Sequence, residues 1–327
     1  VSVVLALVEH ADGRPDRLSL EALALAGRIA TDLRAEVQAV LVGPGASAAA
    51  PALGSYGVTT AHVVEDDRLD AYAPAAWAAG LVEVIGAAPP SVVVAPGSER
   101  GTEILAHVAA RTGGAMAANV VAVDTGERWK VVRQRWAGSL LEEAWLDGVT
   151  RLLTVAPHAI AEPEPAVGAA APAVVTHAPT PTDDDLRVRV TGTVAAASDR
   201  VSLTDAKVVV GGGRGIGGAD GFAMLEELAG LLGGAVGVSR VATSLGWRPH
   251  ADQIGQTGAR IAPDLYIACG ISGAIQHIVG CKAAKRILVI NTDQDAPILS
   301  RASYAVIGDV HAVVPAITAE IRRARGT

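Results

Sequence analysis

Cysteine is nearly absent: Cys269 and Cys281 are the two in 327 residues. That is too few for a disulfide scaffold or a cysteine-ligated iron–sulfur cluster. Neither stands in a Cys-x-x-Cys pair, and both lie in apolar surroundings. They read as small buried hydrophobes in a reducing compartment. Clustered basic charge is scarce too. The 27 Lys and Arg against 34 Asp and Glu give a net charge of −7. This balance favours solubility and argues against a broad nucleic-acid surface. The most basic run, Arg322, Arg323 and Arg325, reads as a solvated helix end. The apolar N-terminal run stops at Glu9. It is too short to span a membrane and lacks the basic flank of a signal peptide, so a first β-strand is expected there.

Ready-made catalytic groupings are also missing. The sequence offers no convincing nucleophile–base triad, paired-carboxylate site or zinc cluster. His10, His62, His107, His158, His177, His250 and His311 are dispersed and read as structural or surface residues. Asp293 and Asp295 lack a third ligand at useful spacing, so no metal is expected there.

What is present is apolar residue in quantity, half of the chain. The length suits two domains, or one large one. In the first half, strand-like runs at 3–8, 37–42, 92–95 and 152–155 alternate with helical stretches at 20–33, 72–85 and 102–110. Such alternation indicates an α/β domain with a mainly parallel sheet. Pro74 fits the start of its helix, and Gly113 with Gly114 the end of the third. Residues 162–181 are rich in proline and small side chains and read as a crossing segment without regular structure. A short strand is expected at 186–190, and a domain boundary near 195.

The second half repeats the pattern. Strands are expected at 207–210, 235–239, 265–268, 287–290 and 305–308, and helices at 222–232 and 313–325. The expected fold is α/β in two domains, 1–195 and 196–327. The carboxyl-terminal one should be an open doubly wound parallel sheet, with its ligand beyond the carboxyl ends of the strands.

Those strand ends carry the informative residues. GGGRGIGG, 211–218, places Gly213, Gly215 and Gly218 at G-x-G-x-x-G spacing. Backbone amides at such a turn can cradle a phosphate, and Arg214 adds a cation. The acid expected about 20 residues on in an NAD site is missing, because that strand ends in Ser239 and Arg240. Arg240 at the end of a buried strand needs a partner, either a salt bridge or an electron-rich ligand. The long loop 239–258 carries Gln253, Gln256 and Thr257, neutral donors and acceptors suited to a flavin ring edge or to plain loop hydrogen bonding. In ACGISGAIQHIVG, Ser272 is placed to cap a helix, with Gln276 and His277 in its first turn. The helix dipole there favours a neutral imidazole. Asn291 and Asp309 follow later strands. Asp309 suits a ribose-type hydroxyl or a helix cap. Their recurrence favours one long ligand laid across the sheet edge.

The stretch LYIACGISGAIQHIVGCKAAKRILVIN, Leu265 to Asn291, with GGRGIGG, SR, QIGQTG and DAPI at matching spacing, resembles the alpha subunit of electron transfer flavoprotein. VVVAPGSERGTEILAHVAARTGGAMAANVVAV resembles that family's amino-terminal domain more loosely. The resemblance implies an electron carrier rather than a substrate-converting enzyme. It would be a heterodimer with a beta subunit that holds AMP or a second FAD. The alpha carboxyl-terminal domain would hold FAD through Arg214, Ser239, Arg240, Gln253, Ile254, Gly255, Gln256, Thr257, Ser272, Gly273, Ala274, Ile275, Gln276, His277, Asn291, Asp309 and Val310. Arg240 would face the isoalloxazine, Thr257 its N5 and His277 its pyrimidine-side carbonyl. Implied partners are flavin dehydrogenases such as acyl-CoA dehydrogenases, and a membrane quinone oxidoreductase as transient acceptor. An NADH-linked bifurcating flavoprotein is the alternative. The amino-terminal domain would build the beta-subunit contact. Two departures stand out: Thr292 where the family often has lysine, and the unusual loop carrying Trp247, Arg248 and Pro249. A bacterial cytoplasmic setting is expected, or the mitochondrial matrix for a processed eukaryotic chain.

Overall fold

A computed structural model describes residues 2–192 and 201–326. The chain divides into two compact units, Val1–Val194 and Ala195–Thr327. The boundary expected near 195 lies within 193–200, outside the described residues.

The first unit runs β1 (Val3–Leu7), β2 (His10–Ala11), β3 (Arg14–Pro15), α1 (Arg17–Leu33), β4 (Glu36–Val42), α2 (Ala46–Ala49) and β5 (Val58–Val64). It continues through α3 (Pro74–Ala87), β6 (Val92–Ala95), α4 (Glu99–Thr112), β7 (Met116–Asp124), β8 (Lys130–Arg135), β9 (Leu140–Trp145), β10 (Arg151–Val155) and β11 (Ala173–His177). One sheet orders the strands β11-β5-β4-β1-β6-β10-β7-β8-β9. Pairing is parallel from β11 to β7 and antiparallel in β7-β8-β9. The period of two along β1 builds both faces. Val4 and Ala6 join Leu23, Ala26 and Ile29 of α1, while Leu5 and Leu7 join Leu81 of α3 with Ile104 and Leu105 of α4. Local signals set the helix ends. Asp16 caps α1 by accepting from the Leu18 amide, Pro74 opens α3, Ser98 caps α4, and Gly113 closes it in the left-handed region.

Two expectations fail in this unit. Residues 162–181 are not wholly irregular, because β11 forms there and pairs with β5 from Ala173↔Thr60 to His177↔Val64. Val174, Val175 and Thr176 have strand propensity that the surrounding prolines masked. No strand forms at 186–190. Asp184–Leu186 is a 3-10 turn, held because Asp185 accepts from the Thr182 amide and hydroxyl and pairs with Arg111.

The second unit runs β12 (Val208–Gly212), α5 (Ala223–Leu232), β13 (Ala235–Val238), α6 (Arg240–Ser244), β14 (Leu265–Cys269), α7 (Ile275–Cys281), β15 (Ile287–Asn291), β16 (Tyr304–Ile307) and α8 (Val310–Arg325). The sheet is parallel throughout, ordered β13-β12-β14-β15-β16. Alternate residues bury opposite ways. Val209, Tyr266, Ala268 and Val289 enter one core; Val210, Ile267, Cys269 and Ile290 enter the other with Leu225, Leu228 and Val314. Both faces are therefore covered, as parallel sheets require. Cys269 and Cys281 are buried, and burial pushes both thiols up to about 12. Among the described residues no helix is long and apolar enough to cross a membrane.

Candidate cofactor site

The chain leaves β12 toward β13 on one side and returns to β14 on the other, so strand order reverses between β12 and β14. Loops diverge from such a point and open a crevice beyond the carboxyl ends of the strands. A cavity of about 800 Å³ lies there, wholly within the second unit. Its wall is assembled from successive strand ends. Arg214 and Gly215 follow β12. Ser239 follows β13, with Arg240, Val241 and Ser244 in α6 and Leu245 behind it. The run Gln253–Thr257 closes one side. Gly270–Ala274 follow β14, with Gln276 and His277 in α7, and Asn291–Asp293 end β15.

Two loops meet closely at the switch point. Gly215 donates to the Gly270 carbonyl at 3.0 Å. Gly270 has a φ of +59°, and a Cβ on it would lie 2.7 Å from the Gly215 Cα. The glycine run thus serves loop contact as well as the cavity wall. The helix α5 starts only at Ala223, so the usual strand–turn–helix geometry of a G-x-G-x-x-G phosphate turn is not formed.

The lining is polar in a particular way. Gln253 is buried between two threonines: the Thr243 hydroxyl lies 2.7 Å from its Oε1, and its Nε2 donates to Thr257 Oγ1 at 2.9 Å. Asn291 donates to the Ile271 carbonyl at 3.0 Å and accepts from the Asp293 amide at 3.1 Å, tying the β14 and β15 loops together. His277 sits against Tyr266 of β14 at 2.8 Å. Burial lowers the imidazole to about 4, with the Ile254 carbonyl opposing weakly, so it is neutral at ordinary pH. The helix dipole is not the leading cause, as burial outweighs it.

Arg214 and Arg240 are exposed at the cavity and make no ion pair among the described residues. Asp293 is the one acid in the lining. The wall therefore carries more positive than negative charge and suits an anionic ligand. The exposure of Arg240 removes one expectation: its cation is not buried, so no partner is needed to offset desolvation.

Among the described residues, Ser239 Oγ and His277 Nδ1 are buried with no hydrogen bond of ordinary geometry, the imidazole having only the Ile254 carbonyl nearby. Native interiors leave few such atoms, and those that remain ask for an explanation. Two of them in one lining fit a polar cofactor supplying what the chain omits. The neutral amides and hydroxyls match a heteroaromatic ring edge, and the arginines supply cations, Arg214 suited to a phosphate and Arg240 to an electron-accepting ring. FAD has both parts, and Arg214, Ser239, Arg240, Gln256, Thr257 and His277 are the residues that would hold it.

Three residues expected at the site are not part of this lining. Ile275 is 72% exposed and does not line the cavity. Asp309 caps α8, accepting from the His311 amide at 2.9 Å. Val310, the first residue of α8, is buried in the core with Val314. Ser272 lines the cavity but caps nothing. Helix α7 begins three residues later behind Ala274, and the Ser272 carbonyl accepts from Ile298 instead. Val241, Ser244 and Leu245 were not expected. Their stretch reads as loop in sequence, and α6 brings it to the wall. The unusual loop is pinned: Arg248 binds Asp252 at 2.9 Å and Glu226 at 2.5 Å, above the Phe222 ring.

Comparison with known proteins adds independent support. Residues 202–282 match the family model of the electron transfer flavoprotein FAD-binding domain, and 4–182 match the electron transfer flavoprotein domain. Electron transfer flavoprotein subunit alpha of Syntrophomonas wolfei is 36% identical, across 97% of this chain and 98% of that protein. The Mycobacterium leprae subunit alpha is 38% identical, across 98% and 99%. That of Mycobacterium tuberculosis is 40% identical, across 99% of both chains. The two matched domains fall one in each compact unit, and the FAD-binding match spans β12 to the end of α7. The chain belongs to the electron transfer flavoprotein alpha-subunit family.

Proposed function

We propose that this chain holds FAD in the cavity of its second unit and works as the alpha half of a heterodimer with an electron transfer flavoprotein beta subunit. In this reading the second unit is an open doubly wound FAD-binding sheet, and the first unit supplies the contact with the beta subunit. The pair takes electrons from flavin dehydrogenases, such as acyl-CoA dehydrogenases, and delivers them to a membrane quinone oxidoreductase. The beta subunit carries AMP, or a second FAD if the pair is of the bifurcating kind. The setting is the bacterial cytoplasm, in keeping with two thiols left free and buried.

The observation that carries this reading is the chemistry of the cavity wall. Among the described residues it offers neutral hydrogen-bonding groups and two guanidinium groups without an ion pair at a switch point, and no nucleophile–base pair. Such a wall binds and orients a ligand without transforming a substrate. FAD, when bound, supplies the one- and two-electron chemistry. The chain's part is to clasp the phosphates with cations and backbone amides, and to present Thr257, Gln256 and His277 to the ring edge. A positive charge at Arg240 makes electron uptake by a nearby ring easier.

Co-production with the beta subunit and an absorption spectrum of the purified complex test the proposal. Flavin bands with one FAD per heterodimer are expected. A colourless complex after gentle purification overturns it, and two FAD per heterodimer points to an NADH-linked bifurcating flavoprotein instead.

A further inference from the structure

The hydroxyl of Thr243 has one proton and two acceptors. It lies 2.9 Å from the Arg240 carbonyl and 2.7 Å from Gln253 Oε1. On its other side the Gln253 amide reaches Thr257 Oγ1 at 2.9 Å. Gln253 is 2% exposed, so water does not compete for these bonds. A carboxamide presents an oxygen and an NH2 group of nearly equal shape, and turning it by half a revolution exchanges them.

Both orientations satisfy this row of groups. In the first, Thr243 donates to Gln253 Oε1, the amide donates to Thr257, and the Thr257 proton is left for the cavity that Thr257 lines. In the second, the amide donates to Thr243, whose proton passes to the Arg240 carbonyl. Thr257 then donates to Gln253 and offers the cavity only its lone pairs. All groups are neutral, so the exchange moves no charge. Thr243 is what makes the second state affordable in hydrogen bonds, because the Arg240 carbonyl stands ready for its proton.

We infer that Gln253 is a positioning residue: its amide sets whether Thr257 donates to the cofactor or accepts from it, and it turns over when the cofactor changes redox state. This rests on the reading that the cavity holds a flavin. Such a ring has an edge nitrogen that accepts a hydrogen bond when oxidised. When two electrons from a reductant and a proton from solvent are added, that nitrogen carries hydrogen and donates. An amide fixed in the second orientation would leave Thr257 only accepting, which matches the reduced edge and opposes the oxidised one; the first orientation frees the Thr257 proton that the oxidised edge needs. A wall backed by Gln253 matches both, which suits a carrier that must load and unload without a large preference.

The test is infrared difference spectroscopy of the complex with its beta subunit, oxidised against dithionite-reduced, made with ordinary or carbonyl-13C-labelled glutamine. A band pair in the amide carbonyl region that shifts with the label is expected. It should be lost in Gln253→Glu, whose carboxylate only accepts, and in Thr243→Val, and be retained in Thr243→Ser. The flavin midpoint potential should fall in Gln253→Glu. Bound, reducible flavin without a label-sensitive band in the unaltered complex overturns the inference. So does a band that survives Gln253→Glu, or Thr243→Val if the first variant does not fold. Absence of flavin from the unaltered complex would instead overturn the cofactor reading itself.

Discussion

The phenol of Tyr266 and the imidazole of His277 meet at 2.8 Å, Oη to Nε2, inside the second unit. Tyr266 is fully buried on β14, and burial holds its proton well above the usual phenol range. If the phenol donates to Nε2, only the Nδ1 hydrogen of His277 lacks a partner. If the imidazole donates instead, both the phenol proton and the Nδ1 lone pair are stranded. The first arrangement leaves less unsatisfied, so His277 should be the Nδ1–H tautomer. Tyr266→Phe strands Nε2 as well and should cost roughly 1–3 kcal/mol in stability. Urea unfolding measures that loss, and nitrogen-15 NMR of the ring reads the tautomer directly. An Nε2–H ring in the unaltered protein would refute the assignment.

The same histidine makes the second unit sensitive to acid. Its folded pKa of about 4 lies below the ordinary 6.5 because burial penalises the cation. Between those values the unfolded chain binds the proton and the folded one does not, so stability falls as pH drops through this window. The contribution is fully present above about 6.5 and amounts to on the order of 3 kcal/mol. Thermal melts from pH 7 to pH 4 should show the decline, and His277→Asn should flatten it. An equally steep decline in the variant would place the acid sensitivity elsewhere.

Gly211 lies under the Tyr266 hydroxyl. A Cβ there would stand 2.3 Å from Oη, with the ring itself at 2.6 Å. Tyr266 is packed on all sides and has nowhere to retreat. Gly211→Ala should therefore destabilise by roughly 1–3 kcal/mol through overpacking. The double variant with Tyr266→Phe should recover part of that, because the closest atom is removed. Equal melting temperatures for Gly211→Ala and the unaltered protein would contradict the contact.

Arg240→Ala should lower the flavin midpoint potential and weaken the one-electron-reduced form. The guanidinium is solvent-exposed and makes no ion pair among the described residues, so its field is partly screened, and an effect on the order of 1 kcal/mol is expected. It should shrink as salt is raised. A potentiometric titration unchanged by the substitution would remove Arg240 from any electronic role.

Much of the second unit was legible because its strands are short apolar runs set between glycine-rich turns, and β12 to β16 each lie within two residues of where periodicity put them. The first unit was less so. Strands β8 and β9, where no strand was expected, carry Lys130, Arg133, Arg135, Glu142 and Glu143 and are stabilised by cross-strand pairs such as Arg133–Glu142 at 3.0 Å. The pairing of His62 with His177, at 2.9 Å, joins residues far apart in the chain and across β5 and β11. No local pattern announces it. At the cavity, residue types were readable, but their orientation was not. Ser272, Ile275, Asp309 and Val310 all follow strands as ligand-contacting residues should, and only the helix starts decide which of them turn inward.

The cavity wall is gathered from Arg214 to Asp293, one piece after each of β12, β13, β14 and β15. No fragment lacking one of those strands can present it, and a ligand that binds only the finished wall stabilises only the finished fold. Retention of a ligand there would thereby report complete assembly: a truncated or misregistered second unit has no finished wall to hold it, and a chain that held it would have assembled its sheet through at least β15.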